Sequence, residues 1–304
     1  MELSNLLMYN NLALEKLFNL NERGVGMKLC IRAHDLGVKG TEDILRRLDE
    51  LGLDGVQMVC YKACGDVPYL PGGITPERAA EIGKAFADAG KIIPLVGVYF
   101  NPVHSDREKA ERCEKVFGEY LAVCQAMGCS FVGSETGSFN DDKWTYHPDN
   151  RTEEAYRRVA DTFGRLCDVA AEYGSTVAIE GAAGHVCWDV DTLDRVRRMM
   201  GKPTKVIFDL YNYMDASNQH GYLDILDKGL ETFAGEILLF HMKDCILSDE
   251  GPKQVPLGTG ELDLREILKR IKAYDPDAVL TLEGTTGEHI AHAVTTIKEI
   301  WESV

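Results

Sequence analysis

The sequence has no CxxC pair, no GxGxxG or P-loop glycine pattern, and no apolar run near the roughly 18 residues that span a bilayer. Basic residues are scarce: 33 Lys and Arg against 49 Asp and Glu leave a net charge of −16. Each shortage excludes something. Without paired CxxC motifs, zinc ribbons and thioredoxin-type redox sites fall away. The cysteines number nine, which is odd, and several stand at apolar positions where a thiol acts as a small hydrophobe. A reducing, cytoplasmic setting is expected. The chain opens Met1-Glu2 with no basic segment, so no secretory signal is expected. Without an excess of positive charge, neither nucleic acid nor a membrane surface is an expected partner.

What is present, from Lys28 onward, is an alternation of two textures. Short β-rich runs lie at Lys28–Ala33, Gly55–Cys60, Ile92–Tyr99, Ser130–Ser134, Thr176–Glu180, Lys205–Asp209, Glu236–His241 and Ala278–Glu283. Most are nearly continuous in apolar residues, as strands covered on both faces should be. The intervening segments carry helical spacing, clearest in Asp106–Met127 and from Ile290 to Val304. Thr75-Pro76 reads as an N-cap followed by proline at the first helical position, and Asp263 with Glu266 has capping-box spacing. Eight such units suit a (β/α)8 TIM barrel, an α/β fold of about 250 residues. The open doubly wound sheet is the rival, but its usual glycine-rich loop is missing after the first strand. The expected organisation is an N-terminal extension or accessory helix over 1–26 and one barrel over 27–304.

Chemistry in such a barrel gathers at the C-terminal ends of the strands. Four consecutive runs end in a residue able to ligate a metal: Glu180, Asp209, His241 and Glu283. One carboxylate at a strand end is commonly a cap or a surface pair. Four such polar ends on neighbouring strands would converge near the barrel axis. Three carboxylates and an imidazole suit one divalent ion in an open, oxygen-rich site, with Mn²⁺ expected first and Mg²⁺, Co²⁺ or Zn²⁺ as alternatives.

The segments AIEGAAGH (Ala178–His185), IFDLYN (Ile207–Asn212), FHMKD (Phe240–Asp244), LGTGELD (Leu257–Asp263) and LTLEG (Leu280–Gly284) give the chain its family likeness. It resembles the sugar phosphate isomerase/epimerase superfamily, the xylose-isomerase-like TIM barrels, from about Lys28 to the C-terminus. Ketose 3-epimerases, hydroxypyruvate isomerases and inosose dehydratases belong there, with endonuclease IV more distant. The resemblance places the metal ligands on Glu180, Asp209, His241 and Glu283, and gives Glu180 and Glu283 acid and base roles. Three positions depart from the ketose epimerases. Asn212 replaces a histidine, His185-Val186 stands where a second glutamate follows the first, and Lys243 stands where an arginine follows the histidine ligand.

The implied activity is a metal-dependent isomerase or epimerase working through a metal-stabilised enediolate on a small sugar or polyol. A lyase that expels water from the same enediolate is the alternative. A non-catalytic sugar-binding barrel and an endonuclease IV-like phosphodiesterase stand behind it, and a homo-oligomer is compatible with the fold. His34, Glu135, His185, Asn212 and Lys243 are the candidate substrate-binding residues. Four of them have a plainer reading. His34 and His185 are also ordinary loop histidines, Glu135 a loop pair or cap, and Lys243 a salt-bridge partner of Asp244 or another acid. Trp144, Tyr146 and Trp188 are available to wall a sugar site or simply to pack. The Gly258-Thr259-Gly260 loop lets backbone approach a ligand or turn sharply, and it lacks P-loop spacing.

Overall fold

The computed structural model describes residues 26–304, so the expected N-terminal extension lies, but for Gly26, outside the described residues. Eight strands close a parallel barrel: β1 (Lys28–Arg32), β2 (Gly55–Met58), β3 (Ile92–Gly97), β4 (Phe131–Glu135), β5 (Thr176–Glu180), β6 (Lys205–Asp209), β7 (Ile237–Met242) and β8 (Val279–Leu282). They pair in chain order, and β1 meets β8 to close the ring. The helices on the outside are α1 (Thr41–Leu51), α2 (Pro76–Asp88), α3 (Arg107–Val123), α4 (Glu153–Tyr173), α5 (Val190–Met200), α6 (Tyr222–Thr232), α7 (Leu264–Tyr274) and α8 (His289–Ser303). This is the (β/α)8 TIM barrel that the sequence implies.

Local signals set the helix ends. Thr75, Asp106 and Asp263 each accept a hydrogen bond from the backbone N–H three residues on, at Arg78, Lys109 and Glu266. The expected helix Asp106–Met127 runs regularly only to Val123. It tightens into a 3₁₀ turn at Cys124–Met127 before Gly128 takes a left-handed conformation. β2 stops at Met58, short of the expected Cys60, because Val59 begins a helical turn over Cys60–Ala63 that lifts Tyr61 and Lys62 to the rim.

Strand side chains alternate between two destinations. Leu29, Ile31, Val56, Met58, Val177, Ile179, Phe208, Phe240, Leu280 and Leu282 belong to the large core shared with the helices. The axis-facing positions form a separate small core of Cys30, Leu95, Ala178, Ile207, Leu239 and Val279. Gly133 keeps room in it, since a Cβ there would stand 2.6 Å from Ile207 Cδ1 and 3.0 Å from Leu95 Cδ1. Eight of the nine cysteines are buried, and Cys113 is partly exposed. No helix among the described residues is long and apolar enough to cross a membrane.

Candidate metal centre

The same alternation, carried one step past the small core, builds the site. Ala178, Ile207 and Leu239 face the axis, and two residues later so do Glu180, Asp209 and His241. On the last strand, Thr281 leads to Glu283, whose N–H still reaches the Met242 carbonyl at 3.2 Å before Gly284 (φ +74°) turns the chain. The four polar ends are each 9% exposed or less.

Each of the four offers one ligand atom, and these atoms lie within 4.8 Å of one another. Three carboxylate oxygens surround His241 Nδ1: Glu283 Oε2 at 2.9 Å, Glu180 Oε1 at 3.2 Å and Asp209 Oδ2 at 3.5 Å. Asp209 Oδ2 is buried without a well-aligned hydrogen bond and is held by the Lys243 ammonium 2.7 Å away. Donors about 2.1 Å from a common hard cation stand no more than about 4.2 Å apart. A small contraction therefore fits this set to one divalent ion, and the acceptor-rich donor set matches its chemistry.

Crowding three carboxylates in a dry pocket demands positive charge. Lys243 supplies it, with Nζ 2.7 Å from Asp209 Oδ2, 2.7 Å from Glu283 Oε1 and a hydrogen bond to Asn212 Oδ1 at 2.9 Å. Arg32 Nη1 lies 3.0 Å from Glu283 Oε1, while its Nε holds Asp35. Protonation follows. Burial pushes Glu180 up to about 7, with His241 opposing and Glu135 and Glu283 adding to the rise. Burial alone would raise Glu283 too, but Lys243, His241 and Arg32 hold it well below the usual carboxylate range. Burial would lower His241, yet Glu283 and Glu180 raise it well above an ordinary imidazole. Two glutamates in one pocket are thus driven apart in acidity.

Asn212 ties the cluster together. Its Nδ2 donates to Glu180 Oε1 at 2.8 Å, its Oδ1 accepts from Lys243, and its backbone N–H reaches Asp209 Oδ1 at 3.1 Å. Glu135 pairs in register with Glu180 on the neighbouring strand. His34 stands on the β1 side of the rim, with Nε2 3.9 Å from Asp35 and Nδ1 buried without a partner. His185 makes its contact elsewhere: Nε2 meets the Trp144 carbonyl at 3.2 Å and the ring packs on Trp144. Trp188 lies under the Arg151 guanidinium, 4.0 Å from carbon to ring centre, and Tyr146 is 55% exposed.

Lys243 pairs with Asp209 and Glu283, and Asp244 has another task. The Asp244 carboxylate accepts N–H bonds from Gly258 (3.0 Å), Gly260 (2.8 Å), Leu262 (3.3 Å) and Cys245 (2.9 Å). The Gly258-Thr259-Gly260 loop therefore wraps an anion of the chain itself. A Cβ at Gly260 would come within 2.2 Å of Asp244 Oδ1, which explains the glycine.

Arg32, Gln57 and Tyr99 are not among the sequence candidates, yet they join the site. Gln57 on β2 is fully buried, and its Oε1 lies 2.6 Å from His241 Nε2 across the barrel. Its Nε2 donates to the Tyr99 hydroxyl at 2.5 Å. A polar residue in the apolar run GVQM is the one available hint.

A family model described as xylose isomerase-like TIM barrel matches residues 45–300. No curated protein matches the chain closely enough to count. Among solved structures, a xylose isomerase domain protein from Planctomyces limnophilus superposes with a TM-score of 0.71 at 17% identity, covering 93% of this chain and 99% of that one. A 3-keto-D-glucoside 4-epimerase from E. coli gives 0.66 at 16% identity over 92% of this chain and 100% of that one. A xylose isomerase-like TIM barrel protein from Mycobacterium smegmatis, in complex with magnesium, gives 0.66 at 14% identity over 92% and 97%. At these identities the likeness is one of fold.

Proposed function

The chain belongs to the xylose isomerase-like TIM barrel family, and from that premise we propose that it is a divalent-metal-dependent isomerase or epimerase of a small sugar or polyol. One observation carries the reading: three carboxylate oxygens converge on His241 Nδ1 within 3.5 Å at the mouth of the barrel. Fold neighbours that include a 4-epimerase and a magnesium complex support it. Glu180, Asp209, His241 and Glu283 would hold the ion, with Mn²⁺ the first choice for an oxygen-rich set and Mg²⁺, Co²⁺ and Zn²⁺ the alternatives. A bound divalent ion supplies Lewis-acid stabilisation of negative charge on substrate oxygens.

The chain's own groups handle the proton. Glu283, paired with the Lys243 ammonium at 2.7 Å, is the base that takes a proton from the carbon beside a carbonyl. Glu180 returns one from the other side. They stand on β8 and β5, three strands apart around the ring, and so address bound substrate from different sides. Lys243 neutralises two of the carboxylates and offers N–H donors to a substrate oxygen. Asn212 keeps Glu180 in place, and Glu135 and His34 line the approach. His185 acts at a distance, by fixing the Trp144 loop.

The test strips the protein with a chelator, restores Mn²⁺ and follows solvent deuterium into a panel of ketoses and polyols. Metal-dependent deuterium incorporation is expected in at least one. A product lighter by one water would reassign the site to a lyase. Tight sugar binding with no exchange would make it a binding barrel.

A further inference from the structure

We infer that Gln57 is a positioning residue that presents His241 to the cation through Nδ1. The inference rests on the metal reading above. The three carboxylates gather at Nδ1, and Nε2 points the opposite way, to Gln57 Oε1 at 2.6 Å. An imidazole that gives its Nδ1 lone pair to a cation carries its single proton on Nε2 and needs an acceptor there. The Gln57 carbonyl is that acceptor.

The amide is held the right way round. Gln57 Nε2 donates to the Tyr99 hydroxyl at 2.5 Å, and Tyr99 is fixed at its carbonyl by the Tyr69 hydroxyl at 3.0 Å. Rotating the amide by half a turn would set its N–H groups against the Nε2–H, donor against donor. The choice of residue type follows as well. Such partners are commonly carboxylates, but a carboxylate here would be a fourth anion in a pocket that already balances Glu180, Asp209 and Glu283 against Lys243 and Arg32. An amide supplies the acceptor without the charge. The register that places it is set far from the ligand: Gln57 pairs with Arg32 on β1 and lies 184 residues from His241 in the chain.

The test measures Mn²⁺ affinity by competition with a fluorescent chelator in the wild type, Gln57→Leu, Gln57→Glu and Tyr99→Phe. Gln57→Leu should bind Mn²⁺ about 10–100-fold more weakly. Gln57→Glu, which keeps the acceptor, should bind at least as tightly as the wild type, an outcome that a merely space-filling role does not produce. Tyr99→Phe, which releases the amide, should weaken binding by less than Gln57→Leu does. Should Gln57→Leu fail to fold, ¹¹³Cd-loaded wild-type protein with ¹⁵N-histidine decides: cadmium coupling to His241 Nδ1 is expected, and coupling to Nε2 overturns the inference. Unchanged affinity in Gln57→Leu overturns it too, while leaving the metal reading standing. A wild type that binds no Mn²⁺ overturns both.

Discussion

The mouth of the barrel has two unlike halves. From β5 to β8, the strands end in ionisable groups that meet one another directly: Glu180, Asp209, His241 and Glu283, with Lys243 in their midst. From β1 to β4, Arg32, Gln57, Tyr99 and Glu135 face the same space. Here one residue, Arg32, touches a member of the cluster by charge, and one, Gln57, by a hydrogen bond. The first half assembles reactive charge, and the second holds it in register. If that division is right, equivalent substitutions in the two halves should differ in kind.

The largest difference should appear in turnover. Glu180→Gln or Glu283→Gln keeps shape but removes both a proton carrier and an anionic metal ligand, so deuterium exchange at saturating Mn²⁺ should fall by about 10²–10⁴-fold. Glu135→Gln, one strand over and in register with Glu180, should lower exchange by about tenfold or less and act mainly on KM, since it touches no cluster member by hydrogen bond or ion pair. Steady-state exchange rates across a substrate series check both. Equal losses at Glu135 and Glu180 would erase the boundary between the halves.

Stability without metal should divide the same way. Lys243 is 8% exposed and pairs two buried carboxylates, so Lys243→Met should cost about 3–5 kcal/mol in chelator. Added Mn²⁺ should recover much of that, because a cation again faces Asp209 and Glu283. Arg32, with a more exposed side chain, should cost only about 1–3 kcal/mol as Arg32→Met. Urea titrations with and without Mn²⁺ measure the two. Asp244→Asn tests a neighbour on the metal side whose work is structural. Replacing one acceptor oxygen by an NH₂ that faces Gly258 and Gly260 N–H groups should cost about 2 kcal/mol, with Mn²⁺ affinity unchanged.

The two halves also differed in how much their residues announced beforehand. On β5 and β6 an apolar run stops at a carboxylate, and on β7 at an imidazole two residues before Lys243. That termination is unusual enough to be read without coordinates. The side of the strand shared by His241 and Lys243 follows from the same period of two. The partner of Lys243 does not, because the loop that claims Asp244 returns from residues 258–262. Gln57 was hidden for a plainer reason: one glutamine inside an apolar strand looks like a register irregularity, and its reason for being there, His241, is across the barrel. His185 shows the converse. It was a candidate for the substrate site, and its partner, Trp144, is carried back to it by the long β4–α4 connection, which the spacing of residues does not reveal.

The last contrast is a pH dependence on the β1 side. Burial first, then the Arg32 and Lys62 charges, lower His34 to about 4, with Asp35 and Glu283 opposing. The folded protein therefore keeps His34 neutral down to about 4, whereas the unfolded chain takes up a proton near 6.5. Between those values the unfolded state binds more protons, so stability falls as pH falls. Above pH 6.5 neither state is protonated and His34 contributes no slope. In chelator, His34→Gln should remove about 2–3 kcal/mol of the acid-side loss. Urea unfolding of wild type and variant, in parallel from pH 7.5 to 4.5, isolates the difference from the carboxylates that titrate in both. Parallel curves would mean that His34 sits in a wetter rim than its buried, unpartnered Nδ1 implies, and that the β1–β4 half is less dry than the metal half it supports.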